Sequence, residues 1–98
     1  MRGIIFGATL ESAYKKLEQL IQDYKNFWNI EYVKIRKSSN EYCVEFTNGD
    51  YWQTVRFSEN QRGRKANVVL IDKNILPEDR YIAEMCVVRK PFGSIGYY

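Results

Sequence analysis

The stretch SENQRGRKANVVLID, residues 58–72, decides the fold that the rest of the sequence has to fit. It begins as a polar, basic loop and continues into four apolar residues, Val68 to Ile71, which are followed by the carboxylate of Asp72. A short apolar run without polar alternation is typical of a strand that is covered on both faces. We therefore predict a central strand at residues 68–71 with Asp72 at its carboxyl end.

Residues 3–8, GIIFGA, have the same character and predict a second buried strand, which we place beside the first. Thr9 then offers a hydroxyl cap, and apolar or aromatic side chains recur at spacings of three and four from Leu10 to Trp28. This pattern predicts a strand, a tight turn and an amphipathic helix. We expect its aromatic stripe to belong to the core rather than to a ligand site.

After the helix the apolar period changes to two, which predicts three short strands at residues 32–36, 42–46 and 51–57. The Asn48-Gly49 pair between the last two is a strong hairpin signal, because both residues tolerate positive φ. The three strands are therefore predicted to form an antiparallel meander.

The region after Asp72 predicts less regular structure. Proline and two acids at 77–79 indicate a helix start, and residues 81–88 continue that short helix or, from Met85, form a last strand. We expect residues 91–98 to be an irregular tail. The predicted fold is mixed, α/β or α+β, with one main helix on a mixed sheet of five to six strands in a single domain, residues 1–98.

Composition excludes several classes of function. The 98 residues contain no histidine, which removes Ser-His-Asp and Cys-His catalysis and histidine zinc sites. Cys43 and Cys86 are expected to be reduced and buried. A net charge of +3 permits contact with nucleic acid without requiring it. No segment approaches membrane-spanning length, so we expect a cytoplasmic protein without membrane contact.

The alternating strands also carry a pattern typical of nucleic-acid binding. Strand periodicity places Tyr32, Lys34 and Arg36 on one face, and it places Trp52, Thr54 and Arg56 on one face of their own strand. If these faces coincide, aromatic rings can stack on bases while the cations meet phosphates. The competing interpretation puts Trp52 and Tyr32 in the core, with the charges at its rim.

The basic loop before the central strand offers a second set of cations, Arg62, Arg64 and Lys65. Three charges in an exposed loop are as typical of a solvated surface as of contacts to a phosphate backbone. Both interpretations stay open from the sequence.

The order of these elements resembles the ATPase core of phage terminase large subunits, a RecA-like P-loop fold. The resemblance covers roughly three quarters of the chain. It depends on a first strand ending in Ala8-Thr9, on the hairpin segment 46–50, on the RGR run at 62–64 and on NVVLID at 67–72. It implies that Asp72 occupies the Walker B position, where an aspartate holds magnesium.

Two departures from that family imply that this chain is not an enzyme by itself. No glycine-rich phosphate loop precedes the first strand, and Lys73 stands where the family has its catalytic glutamate. No cofactor is therefore expected, with Mg-ATP bound only if another chain supplies the missing elements.

Three hypotheses remain. The chain is a prophage-derived, terminase-like remnant that binds DNA or a packaging protein; or a small non-enzymatic nucleic-acid-binding module; or a self-associating domain that forms a homodimer.

Overall fold

The computed structural model describes residues 1–58, 64–88 and 93–98. In chain order the elements are β1 (Arg2–Gly7), α1 (Leu10–Trp28), β2 (Tyr32–Lys37), β3 (Tyr42–Phe46), β4 (Tyr51–Arg56), β5 (Val68–Ile71), α2 (Arg80–Glu84) and β6 (Ser94–Tyr97). The strands of this described part form one sheet in the order β2-β3-β4-β1-β5-β6. The predicted mixed fold, with one main helix on a five- to six-stranded sheet, is confirmed.

β1 occupies the centre of the sheet and is parallel to both of its neighbours. Ile5 pairs with Thr54 of β4 on one side and with Leu70 of β5 on the other. β2, β3 and β4 form an antiparallel meander, as predicted, and Gly49 in the hairpin has a φ of 90°. The expected neighbourhood of residues 3–8 and 68–71 is therefore correct, and their strands run in the same direction.

α1 begins and ends where its sequence signals predict. The hydroxyl of Thr9 accepts a hydrogen bond from the backbone N–H of Ser12 at 3.1 Å, and Asn29 closes the helix in the left-handed conformation with a φ of 54°. Neither α1 nor α2 is long and apolar enough to cross a membrane.

The sheet separates two apolar cores. Between the sheet and α1, Ile5 of β1 packs with residues of the helix and the meander, namely Ala13, Leu17, Tyr24, Tyr42, Val44, Phe46 and Trp52. On the other side, Ile4 and Phe6 pack with residues of β4, β5 and the α2 region, namely Val55, Ala66, Val69, Ile71, Ile75, Ala83, Cys86 and Val87. β1 thus contributes alternate side chains to both cores.

The chain after Asp72 differs from the sequence expectation at its end. Ser94–Tyr97 is not irregular but pairs in parallel with Val68–Ile71, because β5 would otherwise leave its backbone groups unpaired at the edge of the sheet. Residues 91 and 92 of the predicted tail lie outside the described residues. The short helix after residue 79 is confirmed as α2, and both cysteines are buried, as expected.

A buried polar chain joins α1 to the meander. The indole N–H of Trp52 donates to the Tyr24 hydroxyl at 3.0 Å, and that hydroxyl donates to the carboxylate of Asp50 at 2.7 Å. The Tyr24 ring also stacks on Phe46, with ring centroids 3.9 Å apart. Burial raises the pKa of Tyr24 to about 12; the Asp50 carboxylate adds to this rise, and the hydrogen bond donated by Trp52 opposes it. Tyr24 therefore positions Trp52 inside the core by both packing and hydrogen bonding.

Tyr24→Phe tests this connection. Removing the hydroxyl leaves the buried indole N–H without its acceptor, so we expect the free energy of unfolding to fall by about 1–2 kcal/mol in a urea titration. Tyr32→Phe is the matched control, because the Tyr32 side chain is half exposed and its loss of a hydroxyl should change stability by less than about 0.5 kcal/mol. Equal stabilities of the two variants would contradict the account.

Candidate functional site

Coverage of the sheet is asymmetric, and this asymmetry creates the candidate interface. On the side away from α1, α2 packs against β5, while no described helix or strand is stacked on β2, β3 and the first half of β4. We call this uncovered side of β2, β3, β4 and the start of β1 the open face. It carries Arg2, Lys34, Arg36, Cys43, Glu45, Tyr51 and Gln53.

Strand register arranges these side chains in two rows that cross the sheet. In the first row Lys34 of β2 is opposite Glu45 of β3, Glu45 is opposite Tyr51 of β4, and Tyr51 is opposite Arg2 of β1. In the second row Arg36 is opposite Cys43, which is opposite Gln53. Directly opposed residues share one face of a sheet, so each row is a continuous line of side chains.

Tyr51 is the aromatic residue of the first row, and its environment holds it in place. The guanidinium of Arg2 lies over its ring at 5.6 Å from the centroid. Partial burial, together with the contact to Cys43, raises the pKa of the Tyr51 hydroxyl to about 12. The ring is therefore neutral at physiological pH and stacked beside a cation.

The cations of the β2 strand are well placed for a ligand. All six residues of β2 are exposed. Arg36 approaches Glu41 only at 3.9 Å, and both side chains are largely in solvent, so that ion pair contributes little and leaves the guanidinium available.

The predicted grouping of aromatic and basic residues on one face is wrong in part. Trp52 is only 3% exposed and points toward α1, because its alternation with Tyr51 puts the larger apolar ring into the core. Lys34 and Arg36 lie on the opposite side of the sheet from Trp52 and Arg56. The alternative placement of Trp52 in the core is thus correct, and Trp52 is not available to stack on a base.

Tyr32 is also displaced from the predicted face. A shift of register between Tyr32 and Lys34 puts Tyr32 opposite Phe46, which belongs to the core under α1, whereas Lys34 is opposite the exposed Glu45. This β-bulge breaks the strict alternation on which the sequence argument depended. Tyr32 therefore lies on the helix side of the edge strand.

The basic loop is only partly described. Arg64 and Arg56 line one depression at the end of β4, together with Gln53 and Glu41. This depression adjoins the second row of the open face. Lys65 is exposed, and Arg62 lies outside the described residues.

Sequence reasoning missed Arg2, Glu45 and Tyr51 as members of the candidate interface. The signal was present in the alternation of β4: once Trp52 is assigned to the core, Tyr51 and Gln53 must point to the other side. The position of Arg2 depends on the parallel pairing of β1 with β4, which no local pattern encodes.

Asp72 lies at the carboxyl end of β5, as predicted, and its carboxylate is only 3% exposed. One oxygen accepts hydrogen bonds from the backbone N–H of Ala8, at 2.9 Å, and from the hydroxyl of Ser12. The other oxygen accepts from the backbone N–H of Asn74 at 2.9 Å. Burial alone would raise the pKa of Asp72, but these three hydrogen bonds outweigh it and hold the pKa below its usual value.

These contacts do not fit a magnesium site. Magnesium is usually held by one or two carboxylates with substrate phosphates and water, and here both oxygens of one carboxylate are directed at donors of the chain itself. Within residues 1–58, 64–88 and 93–98, no group of three or more acidic, cysteine or histidine side chains is arranged to hold a metal ion. Asp72 instead connects the turn between β1 and α1 to the end of β5 through its hydrogen bonds with Ala8 and Ser12.

Comparisons of the chain with protein-family models, with curated proteins and with solved structures gave no match.

Asp72→Asn tests whether the hydrogen bonds to the Asp72 carboxylate stabilise the fold. An amide offers one acceptor where the carboxylate offered two, so buried donors lose their partner and we expect a loss of about 3 kcal/mol in the free energy of unfolding at pH 7. Because the folded pKa lies below the unfolded one, the carboxylate stabilises the fold above about pH 4, and this contribution disappears as the pH falls further. The difference between wild type and variant should therefore shrink by pH 3.

Glu78→Gln is the control for this prediction, since Glu78 is exposed and its neutralisation should change stability by less than about 0.5 kcal/mol. If the Asp72→Asn protein is as stable as the wild type at pH 7, the carboxylate does not stabilise the contact between the β1–α1 turn and the end of β5.

Proposed function

We propose that this chain is a non-enzymatic nucleic-acid-binding domain of the cytoplasm and that the open face is its binding surface. The observation that carries the proposal is the first row of that face, where Arg2 stands directly beside the Tyr51 ring and Lys34 stands on the other side of Glu45, at the β2 end of the row. Cations that meet phosphates beside an aromatic ring that meets bases are the common elements of nucleic-acid binding without a catalytic site.

The charge of this region supports the same proposal. Arg2, Lys34 and Arg36 lie on the open face and Arg64 at its margin, against the carboxylates of Glu41 and Glu45. Cations therefore outnumber acids around the face by more than the balance of the whole chain, which is 15 to 12. Such an excess attracts a polyanion and makes its binding depend on salt.

We further propose that the domain is a remnant of a terminase-like ATPase core that no longer hydrolyses ATP and contacts DNA or another packaging component. The parallel arrangement of β1 and β5, with an aspartate at the carboxyl end of β5, supports this ancestry. The engagement of Asp72 with Ala8, Ser12 and Asn74 supports the loss of catalysis, because a metal ion would have to displace these donors.

Salt-dependent binding of a labelled oligonucleotide tests the proposed function. The double variant Lys34→Gln/Arg36→Gln removes two phosphate partners, so we expect affinity at about 0.1 M salt to fall roughly 10-fold or more. The slope of log K against log salt concentration should become shallower by about 1.4 for a single-stranded probe, or about 1.8 for a duplex.

Lys15→Gln/Lys25→Gln is the matched control, with the same change of net charge on the exposed side of α1. It should bind nearly as the wild type does. Equal losses in the two double variants would mean that only net charge matters, and salt-independent binding would contradict the proposal outright.

Self-association is a second candidate, which exposed apolar side chains favour. Phe27 is 76% exposed and Trp28 60% at the end of α1, and Val33 and Ile35 of the edge strand are 60% and 40% exposed. The rings of Phe27 and Trp28 are neighbours, with centroids 6.3 Å apart, and contiguous exposed apolar side chains are typical of surfaces that a partner covers.

Sedimentation velocity at micromolar concentration tests this candidate, which predicts a dimer that Trp28→Ser converts to a monomer. A wild-type monomer would exclude it, and nucleic-acid binding would be unaffected by that result.

A further inference from the structure

We propose that the open face selects single-stranded over double-stranded nucleic acid, with bases placed over Glu45 and Tyr51 and phosphates held by the cations around them. This inference depends on the proposed nucleic-acid-binding function and gives the class of ligand for the same surface. Three features of the face support it.

The first feature is the width of the surface. The first row crosses four adjacent strands, β2, β3, β4 and β1, whose outer members are about 14 Å apart. The major groove of DNA is about 12 Å wide and admits a helix or a two-stranded ribbon. A four-stranded face therefore cannot enter a groove to reach the bases of a duplex, whereas an unpaired strand can lie flat across it.

The second feature is the position of the carboxylate. Glu45 is exposed and stands in the middle of the row, between Lys34 and Tyr51. A duplex presents phosphates to any flat surface, so it would bring phosphates over this carboxylate and be repelled. A single strand can turn its bases inward, and a carboxylate accepts hydrogen bonds from the exocyclic amino group of a base such as cytosine.

The third feature is the aromatic residue next to Glu45. Tyr51 lines the shallow depressions on both sides of the row, one with Lys34 and Arg36 and the other with Arg2 and Asn67. The partly exposed ring and the Arg2 guanidinium that lies over it together provide a stacking surface for an unstacked base. A base paired inside a duplex cannot use that surface.

The cations surround the centre of the first row. Lys34 and Arg36 stand at the β2 edge and Arg2 at the other end of the row, so the positive charges flank the Glu45–Tyr51 centre rather than occupy it. Phosphates bound at the β2 edge would leave the attached bases directed toward Tyr51. The charge pattern thus fits a single-stranded nucleic acid whose phosphate backbone follows β2 and whose bases cover β3 and β4.

Fluorescence anisotropy with two probes tests the inference on the full chain. One probe is a labelled, mixed-sequence single-stranded DNA of about 12 nucleotides, and the other is the duplex formed by annealing it to its complement. We expect the single strand to bind at least about 10-fold more tightly than the duplex at the same salt concentration. Binding of the duplex with equal or greater affinity would overturn the inference and leave the proposed function standing; no binding of either probe would overturn both.

Variants of Tyr51 and Glu45 locate the preference on this face. Tyr51→Ala should reduce single-strand affinity about 10-fold, since it removes the ring on which a base stacks, and should leave the weak duplex binding unchanged. Tyr51→Phe keeps the ring and should bind as the wild type does. Glu45→Gln should strengthen duplex binding and so reduce the ratio of the two affinities.

Tyr32→Ala is the matched control, an exposed tyrosine on the helix side of the edge strand, and it should change neither affinity. Single-strand binding that is insensitive to Tyr51→Ala, or equally sensitive to Tyr32→Ala, would contradict the inference. If Tyr51→Ala does not fold, the ratio of single-strand to duplex affinity in the unmodified chain still tests the inference.

Discussion

The structure depends on the burial of β1 on both faces. Ile5 packs under α1 while Ile4 and Phe6 pack under the α2 region, and β4 and β5 pair with the strand in parallel on either side. A strand buried in this way needs two covering layers, and the short chain provides α1 for one side and the segment around α2 for the other. That second layer packs on β5 and the end of β4, which is why the far side of the meander stays open.

The same constraint explains the role of Asp72. Parallel strands bring the end of β5 beside the turn between β1 and α1, where Ala8 and Ser12 present donors that need an acceptor. A carboxylate at this position satisfies them and fixes the start of the helix against the sheet. The residue that a resemblance to ATPase cores marks as a metal ligand therefore has a structural role here.

Sequence patterns predicted the elements well, because each has a strong local cause. The apolar runs at residues 3–8 and 68–71, the Thr9 cap and the Asn48-Gly49 turn all correspond to what forms, including the parallel pair. The grouping of aromatic and basic side chains on one face was predicted incorrectly in part, since a bulge after Tyr32 shifts the register and Trp52 packs in the core with Tyr24 and Phe46. The strand β6 was not predicted, because residues 94–97 form a strand by pairing with the edge strand β5, and their own composition does not indicate one.

Mapping of backbone amide shifts by NMR, while a single-stranded oligonucleotide is titrated, tests the central claim most directly. The account predicts that the largest changes occur at Lys34, Arg36, Glu45 and Tyr51, with Arg2 at the margin, and that the exposed side of α1 does not respond. Changes confined to α1 or α2, or a spectrum that the oligonucleotide leaves unaltered, would contradict the claim that the open face is a nucleic-acid-binding surface.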